Sequence, residues 1–183
     1  MKNNILAIDA STHRTGLATF VNDKLVYSVI ESSSTSVEKR IGVMRDGVIN
    51  FIKENNIKEV IFEEVTPEGS KDKKINGHTA KVLTWLQGCL VVAIYEYDKS
   101  IKVNFIGASS WRSVLGLQGY RTKRDSQKQI DINYANATYN LTLTSAQDDE
   151  ADAICILTAY LKNSNALYTK EQPRSIDSYE SAF

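Results

Sequence analysis

The alternation of apolar and polar residues predicts that the chain begins with three short strands. Ile5 to Asp9 is typical of a buried strand that ends in an acid. The turn-forming segment STHRTG leads into LATFV, which we expect to return antiparallel, and Asn22-Asp23 marks a tight turn before KLVYSVIES. The opening therefore predicts an antiparallel meander.

Beyond the meander the pattern alternates between helical and strand periods. Apolar residues three to four positions apart predict a helix after an N-cap at Ser36 or Thr35, and IKEVIFEEV then predicts a fourth strand. A mostly apolar helix from Thr79 to Tyr97, the strand SIKVNFIG, a short helix at ASSWRSVLGL and a helix after a basic loop follow. The last predicted helix runs from Asp148, its expected N-cap, to about Lys162. These elements predict an α/β fold with one five-stranded mixed sheet, three antiparallel strands followed by parallel ones, flanked by helices.

Composition indicates a folded domain of ordinary size. The chain has 183 residues, of which 42% are hydrophobic, and 22 basic residues balance 22 acidic ones. No apolar run reaches the length of a membrane span, and the N-terminus lacks a signal-peptide pattern, so we expect a cytoplasmic protein. Cys89 and Cys155 lie in apolar patterns without metal-ligand spacing and are expected to be free, buried thiols. We expect one domain over residues 1–163 and a polar tail over 164–183.

Acidic residues stand where ligands bind in sheets of this kind. Asp9 ends the first strand, Glu63 and Glu64 end the fourth, and Asp149 and Asp152 share one face at the start of the last helix. Acids in a first helical turn can serve as caps, which is the simpler explanation of the DDEAD stretch. If the three segments converge instead, four carboxylates without histidine or thiolate suit Mg²⁺, or Mn²⁺ in its place. Two such ions, roughly 4 Å apart, can clamp a phosphodiester during hydrolysis.

These stretches resemble a known family. ILAIDASTHRTGLATF, VIFEEV, TAKVLTWLQGCLVVAIYEY and DDEADAICI are similar to the segments that carry the acids and the long helix of RuvC-type Holliday junction resolvases, which have the RNase H-like fold. The resemblance covers roughly the first 160 residues. It implies that Asp9, Glu63, Asp149 and Asp152 are the catalytic acids and bind two Mg²⁺ ions per site.

The family implies a homodimeric, Mg²⁺-dependent endonuclease that nicks two strands of a four-way DNA junction symmetrically. The middle segment LGLQGYRTKRDSQKQI is longer and more polar than the bacterial pattern and looks more like phage-encoded relatives. The family's aromatic residue after the second acid is absent from EEVTPEG, so strand opening by that residue is not carried over. The helix from Thr79 to Tyr97 is the expected dimer surface, with core burial as the competing interpretation.

Basic residues in the middle segment are the candidate DNA contacts. The densest cluster would meet phosphates if it lies beside the acids, and the competing interpretation is a solvated helix start. Its members are Arg121, Lys123, Arg124 and Lys128. Arg112 is predicted either to hold a phosphate or to stack on Trp111. The two histidines, His13 and His78, are single and are not expected to bind metal.

Two other functions compete with a nuclease acting on branched DNA. The first is an actin-like or sugar-kinase-like nucleotide-binding domain, because the opening hairpin resembles a phosphate-binding hairpin, although no second glycine-rich loop follows. The second is a DNA-binding scaffold without catalysis. Glu64 and Asp148 remain reserve metal ligands in the nuclease interpretation.

Overall fold

An antiparallel meander begins the fold, as the apolar pattern predicts. The computed structural model describes residues 4–65, 77–118 and 124–162. β1 (Ile5–Asp9), β2 (Arg14–Val21) and β3 (Lys24–Glu31) pair in sequence, and Asn22 and Asp23 form the tight turn with φ of 48° and 60°. Positive φ at both turn residues matches the twist of the flanking strands, which explains the Asn-Asp pair. β2 is longer than predicted, because Arg14, Thr15 and Gly16 of the expected turn already belong to it.

The rest of the chain adds parallel strands and helices. In chain order the further elements are α1 (Val37–Glu54), β4 (Glu59–Glu63), α2 (Gly77–Tyr97), β5 (Lys102–Ile106), α3 (Ala108–Leu115), α4 (Arg124–Tyr139), a 3₁₀ turn (Ser145–Gln147) and α5 (Asp148–Lys162). The strand order is β3-β2-β1-β4-β5, with β1, β4 and β5 parallel. The predicted five-stranded mixed sheet is confirmed.

The sheet separates two hydrophobic cores. Leu6 and Ile8 of β1 face a core shared with α1 and α2, whereas Ile5 and Ala7 face a core built around α5. Side chains alternate between the faces of a strand, so every second residue of β1 is directed toward α5. This alternation decides where the acid at the end of the strand lies.

α5 is the central helix of the second core. Its residues from Glu150 to Tyr160 are all buried, and it packs on β1, β2, α3 and α4. The predicted N-cap at Asp148 is wrong, because helical geometry already begins in the preceding 3₁₀ turn. Thr144 caps that turn in a capping box with Gln147. The acids that follow are therefore not needed as caps.

α2 serves the core with one side and exposes the other. Leu86, Leu90 and Ile94 are fully buried, while the exposed fractions of Trp85 and Val92 are 50% and 56%. Cys155 is buried as expected, but Cys89 on α2 is only half-buried. Within the described ranges no helix is long and apolar enough to cross a membrane. The predicted tail, residues 164–183, lies outside the described residues.

Candidate active site

The alternation along two adjacent strands places two of the predicted acids on one face of the sheet. Asp9 follows Ala7 at the end of β1 and Glu63 follows Ile61 at the end of β4, and both apolar residues belong to the α5 core. β1 and β4 are parallel neighbours, so their ends lie at the same edge. Asp9 and Glu63 therefore face α5 at that edge, whereas Glu64 lies beyond the strand and is exposed.

A glycine on β2 lets the start of α5 approach this edge. Gly16 is the register partner of Asp9. A Cβ atom at position 16 would lie 2.0 Å from the carbonyl oxygen of Asp149, which is far inside any real contact distance. The backbone of α5 therefore rests directly on β2 beside Asp9, which brings the acids of its first turns to the strand ends. The structure thus gathers the predicted acids from β1, β4 and α5.

The pKa values of the gathered carboxyls show how poorly this pocket tolerates their charges. Burial, and after it the negative charges of Glu63 and Asp149, raise the pKa of Asp9 from 3.8 to about 8. Burial first, and then the charge of Asp9, raises the pKa of Asp152 well above its ordinary value. Burial also raises the pKa of Glu63, although a hydrogen bond from Trp111 opposes this effect. The positive charges of Lys128 and Arg112 lower the pKa of Asp9 but do not cancel these effects.

Among the described residues, one buried carboxylate oxygen of the pocket lacks a hydrogen-bond partner. Oδ1 of Asp152 is buried and accepts no hydrogen bond within the described part of the chain. A buried polar atom without a partner is costly and calls for a ligand. All four predicted ligands offer only hard oxygen donors, which is the donor type that Mg²⁺ and Mn²⁺ prefer. In ligand chemistry and in charge the residues fit a divalent cation.

The acids are not arranged as a finished metal site. Among residues 4–65, 77–118 and 124–162, no group of three or more His, Cys, Asp or Glu side chains is placed so that it could hold a metal ion. Two of the acids are engaged by other groups. Nε of Arg14 donates to Oδ2 of Asp149 at 2.9 Å, and Nε1 of Trp111 donates to Oε2 of Glu63 at 2.7 Å.

Arg14 is a site residue that the sequence interpretation missed. Besides Asp149, its guanidinium contacts the carboxylates of Glu31 and Glu150 and donates to the carbonyl of Ala146 at 2.9 Å. It lies two residues before Gly16 and therefore on the same face of β2. The side chain joins β2 and β3 to the start of α5. The spacing of two residues between Arg14 and Gly16 is the sequence signal that places both on one face of β2. The partners of Arg14 lie far away in sequence, so its contacts could not be predicted.

Asp131 is a second missed residue. Its side chain is fully buried on α4 and accepts from Nε and the terminal nitrogen of Arg112, at 3.3 and 3.1 Å, and from Gln127 at 3.0 Å. Its charge acts on Glu63 and Asp152 and raises the pKa of both. A lone aspartate inside an amphipathic helix carries no sequence signal that separates it from a surface residue.

The structure describes only some of the residues that are predicted to contact DNA. Lys128 forms an ion pair with Asp148 beside the acids, and its charge lowers the pKa of Asp9. The guanidinium carbon of Arg112 lies 4.0 Å from the ring centre of Trp111, so the predicted stacking is present. Arg121 and Lys123 lie outside the described residues, and Arg124 begins α4 but its side chain is also outside them. The roles of all five in DNA binding remain predictions.

Comparison with solved structures identifies the fold. RuvC from Thermus thermophilus in complex with a Holliday junction substrate matches with a TM-score of 0.64 and 16% identity, over 87% of this chain and 93% of that chain. A second Thermus thermophilus RuvC structure matches with a TM-score of 0.65 and 18% identity, over 87% and 94%. The yeast mitochondrial Holliday junction resolvase Ydc2 matches with a TM-score of 0.52 and 13% identity, over 87% and 78%. The chain therefore has the RuvC-like RNase H fold.

No protein-family model matches the chain, and no curated protein matches it in sequence. At identities of 13 to 18%, the structural likeness concerns the fold. The predicted fold is confirmed, while the activity has to be argued from the site.

Proposed function

We propose that this protein is a structure-selective DNA endonuclease that cuts Holliday junctions or related branched DNA. The observation that carries the proposal is the acid pocket: distant segments bring Asp9, Glu63, Asp149 and Asp152 together at one sheet edge, where burial and mutual repulsion raise the pKa of Asp9 to about 8. The fold neighbours named above are Holliday junction resolvases, which supports the choice of substrate.

The four acids would hold two Mg²⁺ ions, for which Mn²⁺ could substitute. When bound, the ions would supply activation of the attacking water and stabilisation of the departing 3′ oxygen. The protein itself would contribute to the reaction by holding the acids in position. The walls of the pocket limit solvent around Asp152, and Trp111 and Arg14 each hold one oxygen of a neighbouring acid. In such a site Glu64 has no evident role, because it is exposed, and Asp148 is engaged by Lys128.

DNA binding would rely on the basic residues that follow α3. Lys128 already lies beside the acids, so the cluster it shares with Arg121, Lys123 and Arg124 would guide phosphates toward the pocket. Arg112 is engaged by Asp131 and would act within the site rather than on distant phosphates. A homodimer would match the near two-fold symmetry of a four-way junction. We place the protein in the cytoplasm, in a bacterial host if it is encoded by a phage.

The test is cleavage of a panel of four-way junctions, forks and linear duplexes with and without Mg²⁺. We expect Asp9→Asn to abolish nicking of the branched DNAs and to leave junction binding nearly unchanged, because the substitution removes a metal-binding charge and keeps the shape of the side chain. Asp46→Asn is the matched control, since Asp46 is an exposed residue of α1 that forms an ion pair with Arg45. If Asp9→Asn nicks junctions at the wild-type rate, the proposed function is wrong.

The nucleotide-binding alternative is weaker. The solved structures that match with a TM-score above 0.5 and are named above are resolvases or RuvC, and the acid pocket has no evident use in holding ATP. Calorimetric titration with ATP separates the two functions, because micromolar binding without DNA cleavage would favour the alternative.

A further inference from the structure

A buried indole forms a hydrogen bond with one of the four acids. Trp111 has no exposed surface, and its N–H donates to Oε2 of Glu63 at 2.7 Å. α3 brings it there because this helix begins directly after β5, whose last residue, Ile106, is the register partner of Glu63. The other oxygen of Glu63, Oε1, accepts no hydrogen bond from the described residues.

Other residues hold the indole ring of Trp111 in place. The guanidinium of Arg112 stacks on the indole ring at 4.0 Å and forms an ion pair at 3.1 Å with Asp131. Asp131 is fully buried on α4 and is held by Gln127 as well. A chain of contacts from α4 through α3 to β4 therefore sets the position of the indole N–H. Hydrophobic packing alone would not require this series of polar contacts.

We propose that Trp111 is a positioning residue for Glu63, with Arg112 and Asp131 holding the indole in place. The N–H occupies one carboxylate oxygen and leaves Oε1 for a divalent cation. This inference rests on the proposed function, because it takes Glu63 as a metal ligand. Outer-sphere partners that hydrogen-bond a ligand typically change metal affinity by about 10- to 100-fold when they are removed.

Trp111→Phe tests the role of the N–H, because phenylalanine keeps an aromatic ring in the core and removes the donor. We expect the variant to bind Mn²⁺ about tenfold more weakly by calorimetry. Its nicking of junctions should slow at low Mg²⁺ and recover at saturating Mg²⁺. Trp85→Phe is the matched control, because Trp85 is half exposed on α2, and it should bind Mn²⁺ as the wild type does. Circular dichroism at each metal concentration shows whether the variants are folded.

The chain contains two tryptophans, so fluorescence provides a second readout that needs no substitution at position 111. In Trp85→Phe the emission comes from Trp111 alone, and Mg²⁺ does not itself quench fluorescence. We expect a change in emission whose midpoint agrees with calorimetric Mg²⁺ binding, since the hydrogen-bond acceptor of the indole gains a cation. This measurement remains valid if Trp111→Phe does not fold.

The outcomes separate the inference from the function on which it rests. Wild-type Mn²⁺ affinity in a folded Trp111→Phe, or Trp111 emission that is constant while Mg²⁺ binds, overturns the positioning role and leaves the nuclease function standing. If the wild-type protein neither binds the ions nor nicks branched DNA, the proposed function fails and the inference fails with it. Weaker binding in Trp111→Phe together with an emission change supports the role.

Discussion

The carboxyl of Asp9 links the chemistry of the pocket to the stability of the protein. Its pKa is about 8 in the folded protein, against 3.8 for an ordinary aspartate. At a pH between these two pKa values, the Asp9 carboxyl is protonated in the folded protein and ionised in the unfolded chain. The Asp9 carboxyl therefore contributes to the free energy of unfolding. This contribution is fully present below pH 4, declines as the pH rises and is lost near pH 8. The raised pKa values of Asp152 and Glu63 act in the same direction.

We expect the metal-free protein to be less stable at pH 8 than at pH 5. The contribution of Asp9 to this difference is about 4 kcal/mol, because the range covers three pH units and each unit corresponds to about 1.4 kcal/mol. Urea unfolding in EDTA across this range measures it. Asp9→Asn should reduce the slope, leaving the part that Asp152 and Glu63 contribute, and Mg²⁺ should reduce it by neutralising the acids. Equal slopes for the variant and the wild type would show that Asp9 ionises freely in the folded state.

The acids were predictable one residue at a time, but their partners were not. Asp9 and Glu63 end buried strands and Asp149 and Asp152 open a helix, so local patterns were enough to single them out. The contacts of Arg14 with the start of α5 join residues at opposite ends of the described chain. Only the fold reveals such contacts, and for that reason Arg14, Trp111 and Asp131 were missed as site residues.

At the scale of elements, the close contact between β2 and α5 sets the position of the acids of α5 relative to Asp9. Gly16 carries no side chain, and the backbone of α5 occupies the space where a Cβ would be. α5 is buried along most of its length, so it has no free direction in which to retreat. A small change at one strand position therefore alters the placement of a whole helix.

We expect Gly16→Ala to destabilise the protein by about 3 kcal/mol, because the added methyl group overlaps backbone that cannot easily move. It should also weaken metal binding, since α5 carries Asp149 and Asp152. Gly42→Ala in α1 is the control. A Cβ there meets nothing within 4 Å, and alanine in a helix interior gains up to about 1 kcal/mol over glycine. Thermal unfolding of both variants shows the contrast, and a stable Gly16→Ala would mean that α5 lies farther from β2.

Periodicity predicted each strand and helix of the described fold, while the ends of the elements were less predictable. The bounds of α5, Asp148–Lys162, agree with the prediction, but Asp148 was wrongly assigned as its N-cap because the acids there resemble a cap. The segment TSAQ just before it matches the Thr-x-x-Gln form of a capping box and was the better signal. The strand pairing β1-β4, which puts Asp9 beside Glu63, had to be assumed from the fold class, because pairing depends on contacts that no local pattern records.

At the scale of the whole molecule, the two faces of the sheet carry different surfaces. The acids lie on the α5 side, whereas α2 on the other side exposes Trp85 and Val92. These two residues lie seven positions apart and therefore share one side of the helix. Exposed large apolar residues on one side of a helix are typical of an interface with another protein, in line with the expected homodimer.

We expect the wild-type protein to be a dimer and Trp85→Glu to be a monomer, because a charge on this surface would be buried without a partner in the interface. Analytical ultracentrifugation measures the mass of both. Thr138→Glu places the same charge on an exposed position of α4 and should remain dimeric. A monomeric wild type, or a dimer that survives Trp85→Glu, would remove α2 as the dimer surface.

The order in which the chain is made has a consequence for the cell. Asp9 is synthesised well before α5, which completes the pocket and fills the core beneath it. A nascent chain therefore has no complete set of acids until α5 has left the ribosome and inserted between its neighbours. The proposed nuclease would thus be inert until α5 has been synthesised and has packed into the core.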